Sequence, residues 1–161
     1  YGTHVGMWLY KQGVVQAIIG DYTKNPGAPL AGSPKSVRDF LFSCLPLRVG
    51  SYDETQTFSF RHKSVMEFFV ARALWGQLDA LRDVSITSDP AVVAFLAEML
   101  QRAPDRRTVQ SKLVSFVMRS RDESSAQART ASANAITVLN AAGHSFAGYD
   151  FHGVSIQGAD L

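Results

Sequence analysis

The sequence has a single cysteine, Cys44, so the chain cannot form an internal disulfide. With no signal peptide in view, this points to a reducing compartment, the cytoplasm. It has no apolar run long enough to cross a bilayer, so no membrane partner is expected. It has little net charge: 16 basic residues stand against 14 acidic ones, for +2. Nothing in that balance demands a polyanion, and nucleic acid is not the expected partner. No G-x-x-x-x-G-K-[ST] segment occurs, so the chain itself should not hydrolyse a nucleotide. Four histidines, His4, His62, His144 and His152, lack metal-ligand spacing, and the lone cysteine adds none. The chain also begins at Tyr1 rather than Met and reads as a fragment of something longer or as a processed product. What it does have is 46% hydrophobic residues in 161, enough for a buried core.

Trp8, Val15, Ile18 and Ile19 follow a helical spacing, weakened by Gly6 and Gly13, and predict a helix in the first stretch. Asn25 to Pro34, with three prolines and two glycines, predicts a loop. Ser33-Pro34 predicts a cap and a helix through Val37, Phe40 and Leu41 to about Ser43. Leu45–Val49 and Thr57–Arg61 predict a β-hairpin around the polar turn Gly50–Glu54. In its second strand Phe58 and Phe60 alternate with Thr57, Ser59 and Arg61, so one face is buried and the other wet. Ser64 and Glu67 have capping-box spacing ahead of a helix that buries Met66, Phe69, Val70, Ala73 and Leu74.

Asp89-Pro90 starts a further helix with Val92, Phe95, Leu96, Met99 and Leu100 at helical spacing. Pro104 ends it, and a second helix carrying Val109, Leu113, Phe116 and Val117 folds back on it as a hairpin. A third, from about Ser125 to Ala142, puts Ala135, Val138, Leu139 and Ala142 on one face and stops at Gly143. From His144 the chain repeats every five residues. Phe146, Phe151, Ile156 and Leu161 hold the centre, and Gly148, Gly153 and Gly158 close the units.

This five-residue pattern resembles the pentapeptide-repeat family. The resemblance implies a right-handed β-helix with the central apolar residues inside and a surface that docks other proteins. Val154 and Ala159 fit its inner small position; His144 and Tyr149 are too large and imply a cap against the preceding helix. A single coil cannot bury its own inner face, so the repeat is expected to continue past Leu161. A second resemblance lies in Phe58-Ser59-Phe60-Arg61-His62-Lys63-Ser64-Val65-Met66-Glu67-Phe68-Phe69-Val70-Ala71 and, before it, Ser43-Cys44-Leu45-Pro46-Leu47-Arg48. Both are similar to the block that closes the winged-helix region of NACHT (STAND-type) NTPases, although Val65-Met66 departs from the aromatic or Leu followed by Gln usual there. That resemblance gives His62 the role of reaching the β-phosphate of ADP in the intact parent, with ADP or ATP as the parent's ligand. It also implies an upstream nucleotide-binding module as partner and a homo-oligomer.

The expected fold is mainly α. Residues 1–84 form a winged-helix-like region with a small hairpin, 85–143 a helical spacer, and 144–161 the first coil of a pentapeptide repeat. The expected function is that of a regulatory or scaffold segment with no catalytic or metal-binding residues. Its alternatives are a pure protein-interaction module and a winged-helix nucleic-acid binder. His62 itself stands where an imidazole meets either a phosphate or a backbone carbonyl. Cys44, in apolar surroundings, reads as a buried structural cysteine. Arg102, Arg106, Arg107, Lys112, Arg119 and Arg121 read as a solvated helix surface diluted by Asp105, Asp122 and Glu123. His152 and Gln157 read as exposed polar positions of the repeat.

Overall fold

The structure is a computed structural model that describes residues 1–24, 34–49, 55 and 57–159. The predicted loop over 25–33, Ser33 of the predicted cap, the turn over 50–54 and the last residues of the repeat lie outside the described residues. The chain is mainly helical with one small three-stranded antiparallel sheet. It divides into two compact units, Tyr1–Ala73 and Leu74–Leu161.

The first unit runs α1 (Gly2–Lys11), β1 (Gln16–Ile18), α2 (Ile19–Lys24), α3 (Lys35–Ser43), β2 (Leu47–Val49) and β3 (Thr57–Phe60), then enters α4 (Lys63–Gly76). The predicted hairpin forms, with Leu47 opposite Phe60 and Val49 opposite Phe58. The first stretch corrects the sequence reading, because it is a helix followed by a strand. Gly13 takes φ +68°, and the amides of Gly13 and Val14 bond the carbonyls of Tyr10 and Leu9. This pair of bonds closes α1 and leaves the β-branched residues beyond it to pair as a strand. β1 lies along the other edge of β3, giving the order β1-β3-β2.

Gly6 allows a close helix approach: a Cβ there would stand 3.0 Å from Phe69 Cβ on α4 and 3.4 Å from the Met66 carbonyl oxygen. Val5, Leu9, Tyr22, Phe42, Phe58, Phe60 and Met66 fill the core between these elements. Tyr22 meets Trp8, Phe42 and Phe58 edge-on at 5.2, 6.0 and 5.9 Å between centroids. Its hydroxyl lies 3.1 Å from His4 Nδ1. Burial, with a smaller contribution from Tyr1, pushes the Tyr22 phenol well above its usual range. The capping box is also corrected, since α4 starts at Lys63 and Ser64 falls inside its first turn. Glu67, almost enclosed, pairs with Lys63 at 3.1 Å.

In the second unit a short 3-10 helix (Leu78–Arg82) precedes α5 (Pro90–Arg102), α6 (Arg106–Arg119) and α7 (Ala126–Ala141). Val92, Leu96, Leu100, Val109, Leu113, Phe116 and Val117 are buried, as their spacing predicts, while Phe95 and Met99 are half-buried. Ala135, Val138 and Leu139 of α7 and Ala142 at its end are buried, as their spacing predicts, and burial extends further, from Ala131 through Leu139 without a break. Small side chains allow this: α5, α6 and the 3-10 helix all pack on α7. Asn134, fully buried, accepts the Ile86 amide at 3.0 Å and donates to the carbonyls of Leu81 and Val84 at 2.8 and 2.6 Å. Its amide thus satisfies three backbone groups of the connection into α5.

α7 ends as its glycine predicts. Gly143 has φ +73°, with Gly143 N–H bonded to Asn140 and His144 N–H to Leu139. Beyond it the period of five is carried by the backbone. The amides of Tyr149, Val154 and Ala159 bond the carbonyls of Phe146, Phe151 and Ile156 at 3.0–3.1 Å, and Gly148, Gly153 and Gly158 take φ +84°, +74° and +81°. A positive φ at the third residue of each turn marks type II geometry. Residues 144–159 form these turns and no strand.

Phe60→Ala should destabilise the protein by about 3–5 kcal/mol, whereas the exposed Phe40→Ala should cost about 0.5 kcal/mol or less, both read from denaturant unfolding. Alkaline titration supplies a second check. A phenol whose folded pKa is raised stabilises fully below its unfolded value, 10.0, and loses that contribution as pH rises past it. Stability should therefore fall more steeply above about pH 10 in the wild type than in Tyr22→Phe; parallel curves would contradict the burial of Tyr22.

Candidate functional site

β3 decides where polar side chains collect. Its residues alternate across the sheet, so Phe58 and Phe60 enter the core while Thr57, Ser59 and Arg61 share the opposite face. The register then places Gln16 of β1 and Arg48 of β2 on either side of Ser59, forming one row across the three strands. Arg61 continues that face, and His62 follows where β3 hands over to α4. Together with the strand edges these residues line an open groove of about 780 Å³.

Arg61 is held at both ends of the residue. Its backbone amide donates to the Pro46 carbonyl at 2.9 Å, and its Nε donates to the Leu47 carbonyl at 3.4 Å. The terminal guanidinium nitrogens extend beyond that anchor. Arg48 is exposed and forms no ion pair among the described residues, and no carboxylate stands among the described residues lining the groove. His62 is exposed, and its carbonyl accepts the Val65 amide at the start of α4. A helix start carries partial positive charge, which adds to that of the two arginines. The groove is therefore a cationic, hydrogen-bonding surface suited to an anion.

Of the residues lining this groove, sequence reasoning named His62 as a candidate and did not name Arg48, Arg61, Ser59 or Gln16. The alternation around Phe58 and Phe60 already put Ser59 and Arg61 on one wet face. Gln16 could not be placed there while its segment was read as a helix.

Cys44 requires correction, because it is exposed. It caps the C-terminus of α3, outside the core contributed by Phe42 and Leu47. No cluster of three or more metal-ligating side chains occurs among the described residues. Three of the six basic residues singled out around α5 and α6 pair with acidic neighbours: Arg102 with Glu98, Lys112 with Asp79 and Arg119 with Glu123. The Lys112 hydrogen bond holds the Asp79 carboxyl below its usual range. Arg121 instead reaches the repeat, donating to the Asp150 carbonyl at 2.6 Å with the Asp150 carboxylate 3.6 Å away. His152 and Gln157 are exposed, as expected.

No family model, curated protein or solved structure matches this chain. No described helix is long and apolar enough to cross a membrane.

The exposure of Cys44 predicts that the native protein releases its thiol equivalent to an aromatic disulfide reagent without denaturant. A thiol that reacts only after unfolding would restore the buried assignment.

Proposed function

We propose that this chain is a non-catalytic regulatory and scaffold segment of a NACHT-like signalling NTPase. In this reading a winged-helix-like unit senses nucleotide state through His62, a helical spacer follows, and a pentapeptide-repeat β-helix begins at residue 144 and docks other proteins. The observation that carries it is the order helix, strand, helix, helix, strand, strand, with β1-β3-β2 across the sheet and His62 in the two-residue link between β3 and α4. A winged helix requires a third strand. β1, hidden in the sequence by its helix-like spacing, fills that role.

Further support comes from the tail. Three successive type II turns at a five-residue interval suit the corners of a pentapeptide coil. Phe146, Phe151 and Ile156 are half-buried, as expected of residues whose stacking partners would come from neighbouring coils. Phe146 and Phe151 already meet at 5.7 Å.

The tail also favours the second reading, a protein-interaction module without nucleotide contact. Arg121 holds the Asp150 carbonyl, and the Ser155 amide donates to Ser120 Oγ at 3.0 Å, so the repeat is fastened to the end of α6 whatever His62 does. Nucleic-acid recognition gains less from α3, the helix a winged-helix reader would place in a groove. It exposes Val37 and Phe40 and ties Lys35 to Asp39 at 2.8 Å.

The deciding experiment uses a longer protein that carries this segment behind a phosphate-binding loop. His62→Ala should speed ADP release about tenfold, the loss of one charge-assisted hydrogen bond, and favour oligomer formation. Unchanged ADP retention with unchanged assembly would remove the sensing role and leave the interaction module.

A further inference from the structure

We infer that the groove across the sheet is an anion site intrinsic to this chain, built by Arg48, Arg61 and Ser59 as well as His62, and that its ligand is a phosphate-bearing group. The inference shares its groove with the nucleotide-sensing reading but needs neither a phosphate-binding loop nor an upstream module. Three observations carry it. The first is register: Arg48 and Gln16 face Ser59 from opposite sides, and Arg61 lies two residues further along the same face. Side chains bearing a hydroxyl, an amide and two guanidinium groups thus line one groove across the sheet.

The second is anchoring. The Arg61 Nε–H donates to the Leu47 carbonyl at 3.4 Å and so orients the guanidinium, leaving less rotamer freedom to lose when its outer nitrogens engage a ligand. The third is charge. The described lining holds two arginines and a histidine with no acidic side chain, at the N-terminal end of a 14-residue helix. Neither Arg48 nor Arg61 has a carboxylate within 4.0 Å among the described residues, so neither charge is already neutralised there. Guanidinium groups suit the tetrahedral oxygens of phosphate because two parallel N–H bonds can reach two oxygens at once.

The test is calorimetric titration of the 161-residue chain with inorganic pyrophosphate at low salt. Binding should weaken about tenfold in Arg48→Gln and be lost in Arg48→Glu, while Arg107→Gln, exposed on α6, leaves it unchanged. Arg48 is exposed, and retention of the wild-type unfolding midpoint verifies that each variant is folded. Rising salt should weaken binding as expected for a charge-dominated site. Parallel titrations with ADP and adenosine separate the sources. Equal affinity for ADP and pyrophosphate with inert adenosine marks a site for the phosphates alone; tighter ADP binding marks a nucleotide site.

No pyrophosphate binding by the folded chain at millimolar concentration, or binding indifferent to Arg48→Glu, overturns the inference. Pyrophosphate binding that depends on Arg48, combined with ADP retention indifferent to His62→Ala in the longer protein, would keep this site and discard the sensing role.

Discussion

The first unit depends on the two-residue alternation of β3. Four residues send Phe58 into the aromatic cluster around Tyr22 and Phe60 against Phe69, and turn Thr57 and Ser59 the other way. A slip of one residue would exchange the two faces, placing phenyl rings in the groove and hydroxyls in the core. The burial of the phenylalanines fixes the register, and the same register brings Arg48 and Gln16 to Ser59. Core and site are two faces of one constraint. The site consequently needs no packing of its own, since its side chains are held by a strand whose other face is already committed.

The second unit answers a different constraint. α7 is enclosed by α5, α6 and the 3-10 helix, and an enclosed helix must have small side chains or polar ones that are fully satisfied. Its run of alanines meets the first condition. Asn134 meets the second, binding three backbone groups of the segment that leads into α5. Ser132 and Ser120 share a hydrogen bond at 3.2 Å, and Ser120 in turn receives the Ser155 amide. A polar path thus runs from the buried face of α7 to the repeat, giving the first turns a fixed starting point.

Much of this was legible in the sequence where period and punctuation agreed. Pro90 and Gly143 mark the limits of their helices, Val109 through Val117 follow a strict helical spacing, and the glycines at every fifth residue announced turns that the backbone makes. Legibility failed where a segment's role is set by distant partners. Gln16–Ile18 becomes a strand because β3 offers it an edge, a fact absent from the local pattern. α7 looked one-sided because alanine gives little hydrophobic contrast between a buried face and a tolerated one. Gly6 read as a weakness in α1 although it lets α1 approach Phe69. His62 was singled out by the resemblance to the NACHT block rather than by the local pattern; Arg48 stands near it only through cross-strand register.

The pairing of β1 with β3 is therefore the central structural claim, since it converts a hairpin into the three-stranded sheet on which both the winged-helix reading and the anion groove rest. The most direct measurement is nuclear Overhauser contact across both edges of β3 in the labelled chain. Contacts joining Ala17 to Phe58 on one side and Arg48 to Ser59 on the other, with slowed amide exchange in β3, are the predicted result. A β3 that contacts β2 alone, with helical contacts through residues 14–18, would contradict it.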